Sequence, residues 1–178
     1  ARSAPLGRVG GGRRVFKNLE STYFGTSDLR LRNRGFALRV RKDGNRYVQI
    51  MKSSLEAGGA IARRTEWECP VPGFAPDFGA IDDVEARARL GLILPGELRP
   101  VFTNRVRREV LRVNGSDAAG RAREIEIAVD LGEIQVGEVT EPIAEIELEL
   151  PHGAPETVFD LALALHRIRP VQIETRSK

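Results

Sequence analysis

Three glutamates stand at alternate positions near the end of the sequence, where together they could bind a cation. The stretch EPIAEIELEL, residues 141–150, contains Glu145, Glu147 and Glu149 with an aliphatic residue after each. Successive side chains of an extended strand point to opposite faces, so the three carboxylates would share one face. Carboxylate oxygens suit a hard cation. The pattern predicts a strand with either water or a cation along its acidic face.

Basic side chains occupy alternate positions on other predicted strands. Arg39 and Arg41 share a face in ALRVRK, Lys52 closes the next predicted strand, and Arg108 lies between two valines on its face of RVRREV. Arginine and lysine bind phosphoryl oxygens, and the planar guanidinium can do so through two parallel hydrogen bonds. Further acids stand on polar strand faces at Glu66, Glu126 and Asp130.

Two interpretations of these charged faces remain open from the residues alone. In the first, each charged face lies in solvent and each aliphatic face in a core, as is common in antiparallel sheets. In the second, the sheet curls so that its charged faces enclose an ion-filled space. Because buried like charges repel, the second arrangement requires a metal and a polyanion to balance them.

The elements that would position these residues are mainly short strands. The alternating runs GFALRVRK and RYVQIMKSS flank a DGN turn, which predicts a β-hairpin. The runs LRPVFTNRVRREVLRV and REIEIAVDLGEI are predicted to pair across NGSDAAG.

Helical spacing appears in two segments. DFGAIDDVEARARLGLI places Ile81, Val84 and Ala88 on one side, with Asp82 or Asp83 near its start, and ETVFDLALALHRI is the second segment. Strands in succession with few helices predict the α+β class, mainly antiparallel β.

Composition indicates an ordinary soluble domain. The chain has 178 residues, 41% of them hydrophobic and 30% charged, with a net charge of +3. This length predicts a single domain, with the Gly-rich and basic residues 1–18 partly flexible. Cys69 is the only cysteine, which excludes an intrachain disulfide and is consistent with the cytoplasm. No apolar run is long enough to span a membrane, and basic residues mixed with acids on the same strands argue against nucleic-acid binding.

An ordered set of motifs resembles the CYTH superfamily, the triphosphate tunnel metalloenzymes. The motifs are YFGTSDLRL, GFALRVRK, Met51-Lys52, RTEWE, PVFTNRVRRE, EIEIAVDLGEI with EPIAEIELEL, and the terminal SK. They extend over residues 13–178 and are most similar to the bacterial inorganic triphosphatase branch.

The resemblance implies an eight-stranded antiparallel tunnel that hydrolyses inorganic triphosphate with Mg²⁺ or Mn²⁺. It implies that Glu145 and Glu147 bind the metal, and that Glu66, Glu126 and Asp130 complete the acidic lining or hold the basic residues in place. The implied phosphate-binding residues are Arg39, Arg41, Lys52, Arg108 and Lys178. It also implies a helical CHAD domain in the same gene product and is compatible with a homodimer.

The sequence departs from the family pattern in two places. The signature Glu-x-Glu-x-Lys strand is absent, which predicts a tunnel open on one side and weak or no activity for these residues alone. Gly25 and Ser27 stand where an acidic residue and proline are usual. Thiamine triphosphate hydrolysis, ATP cyclisation of the class IV adenylyl cyclase type, and polyphosphate binding without turnover are the alternative functions.

Overall fold

Seven strands and three α-helices form the part of the chain that the computed structural model describes, namely residues 14–53, 65–91, 93–116, 122–150 and 156–172. The strands are β1 (Arg14–Thr26), β2 (Phe36–Asp43), β3 (Arg46–Ser53), β4 (Glu66–Val71), β5 (Leu98–Ser116), β6 (Ala122–Val136) and β7 (Val139–Glu149). The helices are α1 (Arg30–Asn33), α2 (Val84–Leu90) and α3 (Glu156–Ile168). Short 3₁₀ turns cover Phe78–Ala80 and Pro95–Glu97.

The strands form one hydrogen-bonded order, β4-β3-β2-β1-β5-β6-β7. The pairs β1–β2, β2–β3 and β3–β4 are antiparallel, so the predicted antiparallel α+β class is confirmed. Closure of a sheet requires every strand to have a neighbour on both sides. Among the described residues the strands number seven, and β4 and β7 stand at the two ends of the order, whereas the predicted tunnel has eight strands and is closed.

The predicted hairpin is confirmed as β2 and β3. Asp43 pairs with Arg46 across the turn, and Gly44 adopts a φ of 62°. Glycine is favoured there because it has no Cβ to clash in the left-handed region. Residues 14–18, which fall in the predicted flexible arm, form the start of β1; the rest of the arm lies outside the described residues.

The described residues divide into two compact units. The first contains residues 14–17, 107–116, 122–131, 144–150 and 156–172. The second contains residues 18–53, 65–91, 93–106 and 132–143.

The second unit has an aliphatic core on one face of β2 and β3. Leu38 and Met51 are opposite each other in the register, and both are buried. Residues of α2 pack into the same cluster, with Ala86 and Leu90 buried. Asp83 caps α2 by accepting a hydrogen bond from the Ala86 N–H at 2.7 Å, as the position of the acid predicted.

The predicted apolar side of the α2 segment is partly wrong. Ile81 is buried, but Val84 is 73% exposed and Ala88 is also exposed. The helix begins only at Val84, so Ile81 precedes it and is not in helical phase with the residues that follow. The buried positions of α2 are Ala86 and Leu90, four residues apart.

The first unit has a smaller aliphatic cluster beneath α3. Val113 of β5, Ile125 of β6 and Leu161 of α3 are buried together, with Leu165 packed against them. This confirms the helix predicted from ETVFDLALALHRI. None of the described helices combines the length and apolarity needed to cross a membrane.

Candidate functional site

A buried ion pair joins β5 to β6 in the first unit. Arg108 donates from Nε to Asp130 Oδ1 and from Nη2 to Asp130 Oδ2, each at 2.7 Å. The Asp130 side chain is 2% exposed and that of Arg108 is 15% exposed. Two parallel hydrogen bonds between a guanidinium and a carboxylate form the strongest geometry available to such a pair. The pair therefore holds both side chains in one orientation.

Glu147 of β7 shares the same guanidinium. Its Oε2 accepts a hydrogen bond from Arg108 Nη2 at 2.8 Å, and its side chain is 40% exposed. A series of hydrogen bonds therefore runs from the buried Asp130 through Arg108 to the more accessible Glu147.

Asp130, Glu145 and Glu147 form an acidic cluster that could hold a metal ion. Each offers a carboxylate oxygen, and these oxygens all lie within 4.8 Å of one another. Three carboxylates from two strands fit a hard divalent cation, which prefers oxygen ligands. Asp130 is buried while Glu145 and Glu147 are partly exposed, so the cluster is reachable from one side.

The burial of individual residues of β6 and β7 bears on the two interpretations of their charged faces. On β6, Asp130 is buried while the adjacent Leu131 is 57% exposed. On β7, Glu145 and Glu147 are partly buried while Ile146 between them is 44% exposed. At Asp130 the charged side chain is covered and its aliphatic neighbour is exposed, as the enclosed arrangement predicts, whereas the Glu147 side chain is 40% exposed and does not separate the two interpretations.

Arg108 remains charged in this environment. The hydrogen bonding of the Arg108 guanidinium to Asp130 raises the pKa of Arg108 above its ordinary value, against the opposing effect of burial, and the charge of Glu147 adds to the increase. An opposite charge within hydrogen-bonding distance favours the ionised form.

The second unit carries a set of cations on one face of its sheet. In the register, Arg39 lies opposite Ile50 and Arg41 opposite Val48, while Lys52 lies opposite Ala37 and Glu66. Directly opposed residues of antiparallel strands project from the same face. The three predicted phosphate-binding residues Arg39, Arg41 and Lys52 therefore share a face, opposite to the core residues Leu38 and Met51 of the same strands.

Acidic residues of β4 pair with two of these cations. Arg41 Nη2 lies 3.2 Å from Glu68 Oε1, and Lys52 Nζ lies 3.1 Å from Glu66 Oε2. The predicted supporting role of Glu66, holding a basic residue in place, matches this contact with Lys52.

Arg39 has a different environment. Its Nη1 donates to the Tyr23 hydroxyl at 3.0 Å, and its guanidinium carbon lies 5.8 Å from the centre of the Tyr23 ring. The Tyr23 ring is itself stacked on Phe102, with ring centres 4.2 Å apart. Arg39 Nε is buried and has no hydrogen-bond partner among the described residues. A buried polar atom without a partner is costly, and an anion that accepted a hydrogen bond from it would remove that cost.

Among the remaining predicted residues, Glu126 lies outside the acidic cluster. Its Oε2 accepts a hydrogen bond from Arg112 Nε at 3.0 Å. Lys178, the last predicted phosphate-binding residue, lies outside the described residues.

Two contacts of the cations were not anticipated from the sequence. Tyr23 is not among the predicted site residues, yet its hydroxyl contacts Arg39, and the register places the two residues directly opposite each other. Glu68 pairs with Arg41. The sequence does contain a signal for Glu68, since it alternates with Glu66 in the run EWE.

The structural class is an antiparallel α+β domain, with a partly buried acidic cluster in one unit and a cationic sheet face in the other. The chain belongs to the CYTH domain family, whose match covers residues 3–178. This confirms the family expected from the motifs.

A curated relative and two solved structures are similar to the chain. An inorganic triphosphatase from Haemophilus influenzae is 26% identical over 166 residues, which is 90% of this chain and 44% of that protein. The chain thus spans less than half the length of that relative.

The solved structures show similarity of fold. A putative adenylyl cyclase from Hippeastrum with a dominant triphosphatase activity matches with a TM-score of 0.57 and 18% identity, covering 94% of this chain and 81% of that one. A putative adenylate cyclase from Bacillus halodurans matches with a TM-score of 0.52 and 18% identity, covering 92% and 80%.

Proposed function

We propose that this chain is a metal-dependent triphosphatase that hydrolyses inorganic triphosphate to pyrophosphate and phosphate. The observation that carries the proposal is the cluster of Asp130, Glu145 and Glu147, whose oxygens lie within 4.8 Å of one another. The CYTH domain match and the similarity to an inorganic triphosphatase support the reaction class.

The acidic cluster is the proposed metal site, and Mg²⁺ or Mn²⁺ is the proposed ion. Both ions prefer carboxylate oxygens, and the cluster presents three such side chains. A divalent cation held there would neutralise charge on the phosphoryl oxygens as the anhydride bond breaks. Asp130 would keep its position during turnover because Arg108 holds both of its oxygens.

Basic side chains are the proposed phosphate ligands. Arg39, Arg41 and Lys52 share one sheet face, where their charges would bind and orient phosphoryl oxygens. Lys178 and Arg108 are proposed to act in the same way. Glu66 and Glu68 would hold Lys52 and Arg41 in place between turnovers, whereas Glu126 pairs with Arg112, which is not one of the proposed ligands.

The cellular context belongs to the same proposal. We assign the protein to the cytoplasm, because Cys69 is its only cysteine and no disulfide within the chain is needed to hold the fold. A CHAD domain in the same gene product and a homodimer stay predictions from the family resemblance.

The test is phosphate release from inorganic triphosphate, with Mg²⁺, with Mn²⁺ and with a chelator, using ATP and thiamine triphosphate as competing substrates. We expect metal-dependent release that prefers inorganic triphosphate. Glu147→Gln should lose this activity, whereas Glu149→Gln, on the same face of β7 but outside the acidic cluster, should retain it.

Other results would change the assignment. Preferred turnover of thiamine triphosphate or cyclisation of ATP would redirect it to one of those activities. Tight binding of triphosphate without any release, measured on the complete gene product, would identify a polyphosphate-binding module.

A further inference from the structure

The guanidinium of Arg108 lies between two of the three candidate metal ligands. Its Nη2 is 2.7 Å from Asp130 Oδ2 and 2.8 Å from Glu147 Oε2. Arg108 is thus a cation already inside the acidic cluster. A divalent ion bound to the same oxygens would stand within a few ångströms of a positive charge, where repulsion is strong in a partly buried site.

We propose that Arg108 is the exchangeable counter-cation of the acidic cluster and that it releases Glu147 when a divalent cation binds. Arg108 keeps its two hydrogen bonds to Asp130. The N–H of Nη2 that donated to Glu147 then becomes available to donate to a phosphoryl oxygen. This inference rests on the proposed function, because it takes the acidic cluster as the metal site. Metal binding would then allow Arg108 to bind substrate while it stays paired with Asp130.

The contact with Glu147 is the one that can yield. It is a single hydrogen bond to a side chain that is 40% exposed, so water can replace Arg108 at modest cost. The contact with Asp130 is bidentate and the carboxylate is 2% exposed, so breaking it would leave a buried charge without a partner.

Asp130 can serve Arg108 and a metal at the same time. An ionised carboxylate has about four lone-pair sites on its two oxygens, and Arg108 uses one site on each. Asp130 therefore stays fixed by Arg108 while its remaining lone pairs are available to an ion shared with Glu145 and Glu147 in the cluster.

The exchange couples metal and triphosphate. If metal binding frees an N–H of Arg108 for phosphate, the metal raises the affinity for triphosphate by some factor. Triphosphate must then raise the affinity for the metal by the same factor, because coupling between two ligands is reciprocal. Triphosphate alone would meet an Arg108 that is still engaged with Glu147.

The decisive experiment is calorimetric titration of the full chain with Mn²⁺ in the absence of triphosphate. It compares the wild type with Arg108→Gln, Arg108→Lys and the control Arg112→Gln. Arg112 lies on the same strand, and its substitution by Gln removes the same single positive charge. It pairs with Glu126, outside the acidic cluster.

We expect Arg108→Gln to bind Mn²⁺ about tenfold or more tightly than the wild type, because the competing cation is gone. Arg108→Lys should lie between the two, since an ammonium keeps the charge but lacks the planar fork. Arg112→Gln should stay within about twofold of the wild type, since exposed pairs contribute little. Arg108→Lys that binds Mn²⁺ as tightly as Arg108→Gln would show that a positive charge at this position does not compete with the metal and would overturn the exchange.

A measurement on the wild type guards against a variant that fails to fold. Adding Mg²⁺ should shift the ¹⁵N side-chain signal of Arg108, identified by its loss in Arg108→Lys, and leave that of Arg112 in place. Mn²⁺ affinity that is unchanged or weaker in Arg108→Gln would overturn the exchange but leave the metal site standing. No Mn²⁺ binding by any of the four proteins would overturn both the exchange and the proposed metal site.

Discussion

Arg108 binds both carboxylate oxygens of Asp130, although the two residues are 22 positions apart in the chain. Their strands, β5 and β6, are neighbours in the sheet, and both side chains are largely buried. Burying two charges is tolerable only when each finds an excellent partner. The pair thus places a fixed, buried carboxylate beside Glu145 and Glu147, where a cation can use it.

Removing the Asp130 charge should destabilise the fold. We expect Asp130→Asn to lower the free energy of unfolding by about 3 kcal/mol in the absence of metal, because it leaves the Arg108 charge with a poorer buried partner. Urea denaturation measures the change. Glu126→Gln breaks a more exposed pair with Arg112 and should cost less than about 1 kcal/mol. An equal loss of unfolding free energy in the two variants would show that the burial of the Arg108–Asp130 pair does not add to stability.

The acids of β7 should differ in metal binding according to their membership of the acidic cluster. Glu145→Gln and Glu147→Gln each remove a charged ligand, so we expect Mn²⁺ affinity to fall by about tenfold or more in each. Glu149→Gln removes the same charge from the same face of β7, outside the cluster, and should change the affinity by less than about twofold. Titration calorimetry separates these cases, and a uniform small effect across all three would indicate a merely acidic surface.

The cations of β2 should be required for triphosphate binding. We expect the double variant Arg39→Ala with Arg41→Ala to abolish detectable binding of triphosphate, because it removes two guanidinium groups from one face. The fold should survive, since Arg41 pairs with an exposed Glu68 and removal of like charges relieves repulsion. Circular dichroism checks the fold and calorimetry the binding.

A matched control comes from the hairpin. Arg46→Ala removes an exposed arginine at the start of β3 and should leave triphosphate affinity near that of the wild type. Unchanged affinity in the double variant of Arg39 and Arg41 would contradict their role as phosphate ligands.

Gly132 should not tolerate a side chain. A Cβ at this position of β6 would stand 1.9 Å from the Arg105 carbonyl oxygen and 2.8 Å from Val106 Cα, so the backbone of β5 would have to move. We expect Gly132→Ala to lower the free energy of unfolding by about 2 kcal/mol or more, as overpacking typically does. A Cβ on Gly73 would meet no atom of the described residues within 4 Å, so Gly73→Ala should be neutral in the same urea denaturation assay.

Glu97 should contribute to stability at neutral pH and lose that contribution in acid. The Leu94 N–H donates to Glu97 Oε2 at 2.8 Å and Arg30 pairs with Oε1, and these contacts lower the pKa of the Glu97 carboxyl below its ordinary value of 4.5. A lowered folded-state pKa means that the unfolded chain binds the proton more tightly, so the contribution is complete above pH 4.5 and declines as pH falls through the folded-state pKa.

The measurement for Glu97 is urea unfolding over the acidic range. The difference in stability between the wild type and Glu97→Gln should be largest above pH 4.5 and should shrink below it. Glu138→Gln, at an exposed turn, is the control for loss of one carboxylate. A difference that grows on acidification would contradict the assigned sign.

Local sequence patterns determined much of the strand content and the chemical character of the site. Alternation in GFALRVRK and RYVQIMKSS, with a glycine turn between them, was enough to predict β2 and β3, because a two-residue period and a turn residue with positive φ are local properties. The same alternation placed Glu145 and Glu147 on one face of β7. The residue types then indicated carboxylates for a cation and guanidinium groups for phosphate.

Only the tertiary structure decided which face of each strand is covered and which charges meet. The alternation of charged and aliphatic residues along a strand is the same whether Asp130 faces water or protein. A two-residue period assigns side chains to two faces but does not indicate what packs against either face. The partner of Arg108 depends on which strands are neighbours, and that pairing joins residues far apart in the chain. The helix α2 shows the same limit, because its buried residues follow from where the helix begins and what packs on it, and not from spacing alone.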